Sequence, residues 1–159
     1  MTASPSAPEV LPPLPIENRV LALVVILAAQ LMLQMDFLIV MVALPQIQMD
    51  LGFSAATLSW VPNAFALAFG GLLLLGGRLG DAFGRVRAFQ LGLAVFVLAS
   101  LLGGLAQSPL TLIVARVLQG VGAAVAAPSV LALVTNLARN EQERNRGMAL
   151  FITLSSIGA

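Results

Sequence analysis

The sequence predicts an all-α polytopic membrane protein. Three observations carry that reading: 59% of the 159 residues are hydrophobic, only 9% are charged, and the mean hydropathy is +0.99. Soluble domains carry about 25% charged residues, so too few charges are present here to cover a water-facing surface. Crossing a hydrocarbon core of about 30 Å takes roughly 20 apolar residues, and the length allows about five spans. The same composition excludes several functions. A net charge of +1 offers no basic stripe to nucleic acid. With no cysteine and no histidine, thiol chemistry, sulfur-ligated metals and the usual neutral-pH base are missing. No catalytic residue, cofactor or metal site is therefore expected, and the chain does not read as an enzyme.

Residues 1–18 come first, as a cytoplasmic tail. Five prolines and two acids, with no base, cannot bury enough apolar surface to offset chain entropy, so disorder is expected. A cleaved signal peptide would open with positive charge ahead of a short apolar core. Here an acidic tail precedes a long apolar run, which predicts that the first helix stays attached. The transmembrane region, 19–159, then divides into apolar segments at about 20–44, 57–77, 88–106 and 110–137, with a fifth from Met148. This fifth segment, 148–159, rises only about 18 Å at about 1.5 Å per residue. A terminus there would leave unpaired carbonyls and a carboxylate in hydrocarbon, so the fifth helix is expected to be incomplete and the chain the front piece of a longer protein.

Charge in the joints sets the orientation. Between the first and second segments the only charge is Asp50, whereas Arg78, Arg85 and Arg87 lie between the second and third. Gln107, Ser108 and Pro109 separate the third from the fourth without charge, and Arg139, Arg144 and Arg146 follow the fourth. With Arg19, all seven arginines outside the spans fall on one side. The positive-inside rule then places the N-terminus in the cytoplasm of a multi-pass cell-membrane protein, with Trp60 at the outer interface.

Asp36 and Arg116 are the ionisable residues well inside the spans, and each costs about 2.5 to 3.5 kcal/mol at the bilayer centre on insertion scales. Counting from the outer span ends, Leu44 and Leu110, they lie about 12 Å and about 9 Å deep. That agreement predicts a pair across the first and fourth helices. It either fixes helix register or serves transport, and intramembrane charge favours the second. Around Arg116 the helical period brings Gln119, Gly120 and Ala123 onto one face, which either lines a cavity or packs closely through Gly120 and Ala124. A matching stripe in the second span has Asn63 as its strongly polar member. Gln30 and Gln34 fall on nearly the opposite face from Asp36 and are expected to bond another helix. Pro128 is expected to kink the fourth span or mark a flexible point.

Three stretches carry a family resemblance. Gly77-Arg78-Leu79-Gly80-Asp81-Ala82-Phe83-Gly84-Arg85-Val86-Arg87 is similar to the G-x-L-x-D-R-x-G-R-R/K loop of the major facilitator superfamily, with Ala82 and Val86 at two of its basic positions. Arg116-Val117-Leu118-Gln119-Gly120-Val121-Gly122-Ala123-Ala124 resembles its R-x-x-Q-G-x-G-A-A motif. Met35-Asp36-Phe37-Leu38-Ile39-Val40-Met41-Val42-Ala43-Leu44-Pro45 resembles the L-D-x-T-I-V-N-V-A-L-P motif of the fourteen-helix drug:proton antiporter, or multidrug efflux, branch. Leu38 and Met41 replace its Thr and Asn. The resemblance implies the N-terminal four helices and an incomplete fifth of that fold. It also implies proton-coupled efflux by alternating access, with Asp36 and Arg116 coupling to protons and Gly77, Asp81, Gly84, Arg85 and Arg87 in a cytoplasmic gating loop.

The implied partners are the lipid bilayer, a small-molecule substrate, protons and the C-terminal helices of a longer chain. Two alternatives stand beside this reading, a helical membrane subunit that transports nothing and an uptake symporter of the same fold.

Overall fold

The computed structural model describes residues 16–138 and 140–156. In order along the chain, the elements are α1 (Ile16–Leu51), α2 (Ala55–Leu58), α3 (Trp60–Phe83), α4 (Arg85–Gly104), α5 (Pro109–Leu137) and α6 (Glu141–Ser156). No strand occurs among the described residues. Four stretches are long and apolar enough to cross a membrane: Arg19–Leu51, Ala55–Phe83, Arg85–Gly104 and Pro109–Leu137. Exposed apolar side chains such as Val42, Leu74 and Leu98 cover the outside of the bundle. Such a surface suits lipid.

The helices outrun the apolar segments that reveal them. α1 has 36 residues, about 54 Å at about 1.5 Å per residue. It continues through Pro45 to Leu51 and begins at Ile16, so the last residues of the expected tail are helical. Residues 1–15, Arg139 and residues 157–159 lie outside the described part. α6 starts at Glu141, ahead of the apolar run from Met148. In each case polar residues such as Gln, Glu and Arg are good helix formers, and a helix that has left the hydrocarbon still satisfies its backbone best by continuing. Apolar length measures the membrane, and helix length measures the next turn signal.

Those signals are specific. Ser108 stands before α5 with its side chain accepting a hydrogen bond from the Thr111 amide at 3.2 Å, and Pro109 follows in the first turn, where a missing donor costs nothing. Between α3 and α4 only Gly84 leaves the helix, at φ 94°, a conformation that side chains other than hydrogen rarely adopt. One residue makes the whole reversal.

α5 is the centre of the molecule, packed most extensively on α3 and α4 and also on α1 and α6. Half of its most apolar stretch is buried, a larger share than in any other span. Lipid tails are as apolar as leucine, so helices associate in a membrane through close backbone approach and polar contacts. Gly92 of α4 and Gly122 of α5 meet in that way, since a Cβ on Gly122 would lie 2.6 Å from the Phe96 nitrogen. α5 carries the polar residues of the candidate site, and these contacts hold it against its neighbours.

Candidate functional site: a buried charge network between four helices

Arg116 lies in the first third of α5 and is 1% exposed. A guanidinium in that position is costly unless its donors find acceptors. Its Nη1 donates to the Asp36 carboxylate of α1 at 2.5 Å and to Gln119 Oε1 at 2.9 Å. Nε donates to the Val61 carbonyl of α3 at 3.3 Å. The cation also stands over the Phe65 ring, 4.6 Å from its centroid, where the ring's negative face adds to the stabilisation. Nη2 is buried and has no hydrogen-bond partner.

Gln119, one turn along α5, completes the circuit. Its Oε1 accepts from the guanidinium, while its Nε2 donates to the second carboxylate oxygen of Asp36 at 2.8 Å and to Ser100 Oγ of α4, also at 2.8 Å. Ser100 in turn donates to the Phe96 carbonyl at 2.9 Å. Asp36 therefore receives one charged and one neutral hydrogen bond, each from α5. Four helices contribute to the network, and removing any member unbalances two others.

The network borders a cavity of about 410 Å³ between α1, α4 and α5. Asp36, Ser100, Arg116 and Gln119 form its polar end, and the α1 face through Val40 and Ile47 leads from there to Asp50. Of the four sequence candidates for a cavity lining, Gln119 belongs to this wall and the other three do not. Gly120 is a helix crossing, because a Cβ there would lie 2.6 Å from the Phe65 carbonyl oxygen. Ala123 is buried among Leu33, Phe65 and Phe96. Asn63 is exposed on α3. Sharing a face with Arg116 was not sufficient, since α3 fills part of that face.

The proposed gating loop is mostly helix. Gly77 and Asp81 lie in α3, Arg85 and Arg87 in the first turn of α4, and Gly84 alone forms the joint. Asp81 and Arg85 form an ion pair across it. Gly80 stays helical and lets Arg85 lie over it: a Cβ would meet Arg85 Nη1 at 3.0 Å and Ser129 Oγ at 3.1 Å. Gly77, Arg78 and Asp81 also border a wide cleft of about 1050 Å³ that includes Gln30 and Gln34. Sequence reasoning missed Ser100, Phe65 and the Val61 carbonyl. Ser100 left one signal, a hydroxyl within an apolar span.

The matches to known proteins agree with this architecture. The family model described as Major Facilitator Superfamily matches residues 26–159. The chain belongs to the major facilitator superfamily. It is 52% identical over 145 residues to the puromycin resistance protein of Streptomyces alboniger, covering 91% of this chain and 29% of that one. It is 46% identical over 137 residues to the cephamycin export protein of Amycolatopsis lactamdurans, covering 86% of this chain and 28% of the relative. The methylenomycin A resistance protein of Bacillus subtilis is 38% identical over 134 residues, or 84% of this chain and 29% of its own. The chain thus spans under a third of the length of these superfamily relatives.

Proposed function

We propose that this chain supplies the N-terminal helices of a proton-coupled exporter of antibiotics or other small molecules that works by alternating access. The observation that carries the reading is the network of buried Arg116 and Gln119 with half-buried Asp36 and Ser100 at the edge of a cavity. A proton reaching Asp36 neutralises the carboxylate. Arg116 then loses its counter-ion, and the bonds that tie α1 to α5 weaken together. A network holding two helices in one arrangement while charged, and releasing them when neutral, couples protonation to a shift between two packings. In the proposed orientation the arginine-bearing end faces the cytoplasm. The remaining helices of a longer carrier would close the wide cleft along α1, α3 and α5, since alternating access needs two halves around one site.

The relatives' names, resistance to puromycin and methylenomycin A and export of cephamycin, support antibiotics as the substrate class. Joining residues 1–159 to the remaining sequence of the puromycin resistance relative tests this reading in a sensitive strain. The joined carrier should restore puromycin resistance, Asp36→Asn in it should abolish that resistance at equal membrane level, and the chain alone should leave it at background. Resistance unaffected by Asp36→Asn would end the coupling role. Proton-dependent efflux by the 159-residue chain alone would point to a homo-oligomeric carrier instead.

A further inference from the structure

A second cavity, of about 350 Å³, lies where the start of α1, the end of α5 and the start of α6 meet. α5 and α6 cross closely there, with a Cβ on Gly147 lying 3.0 Å from Val134 Cγ1. Two guanidiniums, Arg19 and Arg146, and one carboxylate, Glu143, stand among the cavity's walls. Arg19 is loosely paired with Glu143 at 3.9 Å. Among the described residues Arg146 makes no ion pair. The polar part is therefore left with net positive charge. Leu23, Leu137 and Leu150 supply apolar wall in the same cavity. Arg19 immediately precedes the apolar run of α1 and Arg146 that of α6, so the charged part stands at the level where headgroups meet hydrocarbon.

We propose that this cavity binds an anionic phospholipid, its phosphate held by Arg146 and Arg19 and one acyl chain lying against Leu23, Leu137 and Leu150. Positive charge above apolar wall is the complement of a phosphate above a fatty chain, and basic pockets between membrane helices on the cytoplasmic side hold anionic headgroups by this arrangement. A bound lipid would tie α6 to α1 and α5 at a site apart from the Asp36 network.

Native mass spectrometry of the purified 159-residue chain, titrated with phosphatidylglycerol or phosphatidylcholine, tests the site independently of transport. Phosphatidylglycerol should bind the more tightly. Arg146→Gln should lower its affinity about fivefold, the factor that one basic residue contributes near an anionic surface, with phosphatidylcholine unchanged. Arg87→Gln, outside the cavity's walls, should change neither. Leu23→Trp, which fills the apolar wall and keeps every charge, should also weaken phosphatidylglycerol binding, with helical content checked by circular dichroism in each variant. Equal losses in Arg146→Gln and Arg87→Gln would mean diffuse surface attraction and overturn the site. Displacement of the lipid by inorganic phosphate, or tighter lipid binding after removal of residues 2–15, would overturn it in favour of a free-anion site or a tail-binding groove.

Discussion

At the scale of single residues, Asp36 and Arg116 are each other's condition for being in the membrane. Removing one member of a buried pair leaves an uncompensated charge and costs about 3 to 5 kcal/mol, so Asp36→Ala should lower the unfolding free energy in detergent by that amount. The double variant Asp36→Asn with Arg116→Gln removes both charges and keeps similar shapes, and should recover most of the loss. If the pair only fixed helix register, transport by the joined carrier would recover as well, whereas a coupling role predicts stability without proton-driven transport. Gln119→Leu deletes both donors that reach Asp36 and Ser100 and should cost about 1 to 3 kcal/mol, read from chemical unfolding. This part of the site was legible because depth is arithmetic: two costly side chains at similar depth in different spans have few alternatives to meeting. Ser100 and the Val61 carbonyl were not legible, because which turn of one helix faces which turn of another is decided by side-chain volumes along the whole crossing.

At the scale of elements, α5 decides the packing. Its glycines meet neighbouring backbone, so a side chain there has nothing soft to displace. Gly122→Val would set its Cβ 2.6 Å from the Phe96 nitrogen and should destabilise by about 1 to 3 kcal/mol or prevent folding, measured as a lower thermal midpoint in detergent. Gly70→Ala, with open space around the added methyl, should be neutral or stabilising by up to about 1 kcal/mol through helix propensity. The sequence contained both possibilities for Gly120, cavity wall and helix contact, and could not choose, since periodicity gives a face but not its occupant. Helix ends show the same division. Ser108-Pro109 and Gly84 are written plainly as stop and start signals. The extension of α1 to Leu51 is not, because Pro45 after an apolar run reads as the end of a span and the helix nevertheless continues through it.

At the scale of the whole molecule, the four spans were legible from hydropathy alone, because nothing in a bilayer core except helix or closed barrel satisfies the backbone. Proposed topology is testable with little disturbance, since the chain has no cysteine of its own. Arg85→Cys should react with a membrane-impermeant thiol reagent from the cytoplasmic side only, and labelling from outside would invert the orientation. The wide cleft holding Gln30, Gln34 and Asp81 could not be read from the sequence, because it is a space between elements rather than a property of any one of them. In the proposed mechanism, protonation of the Asp36 network drives substrate movement. Its most direct test is efflux from proteoliposomes containing the joined carrier, measured with and without an imposed proton gradient. The gradient should accelerate wild-type efflux, and Asp36→Asn should bind substrate yet ignore the gradient. An Asp36→Asn carrier that responds to the gradient as the wild type does would contradict this mechanism.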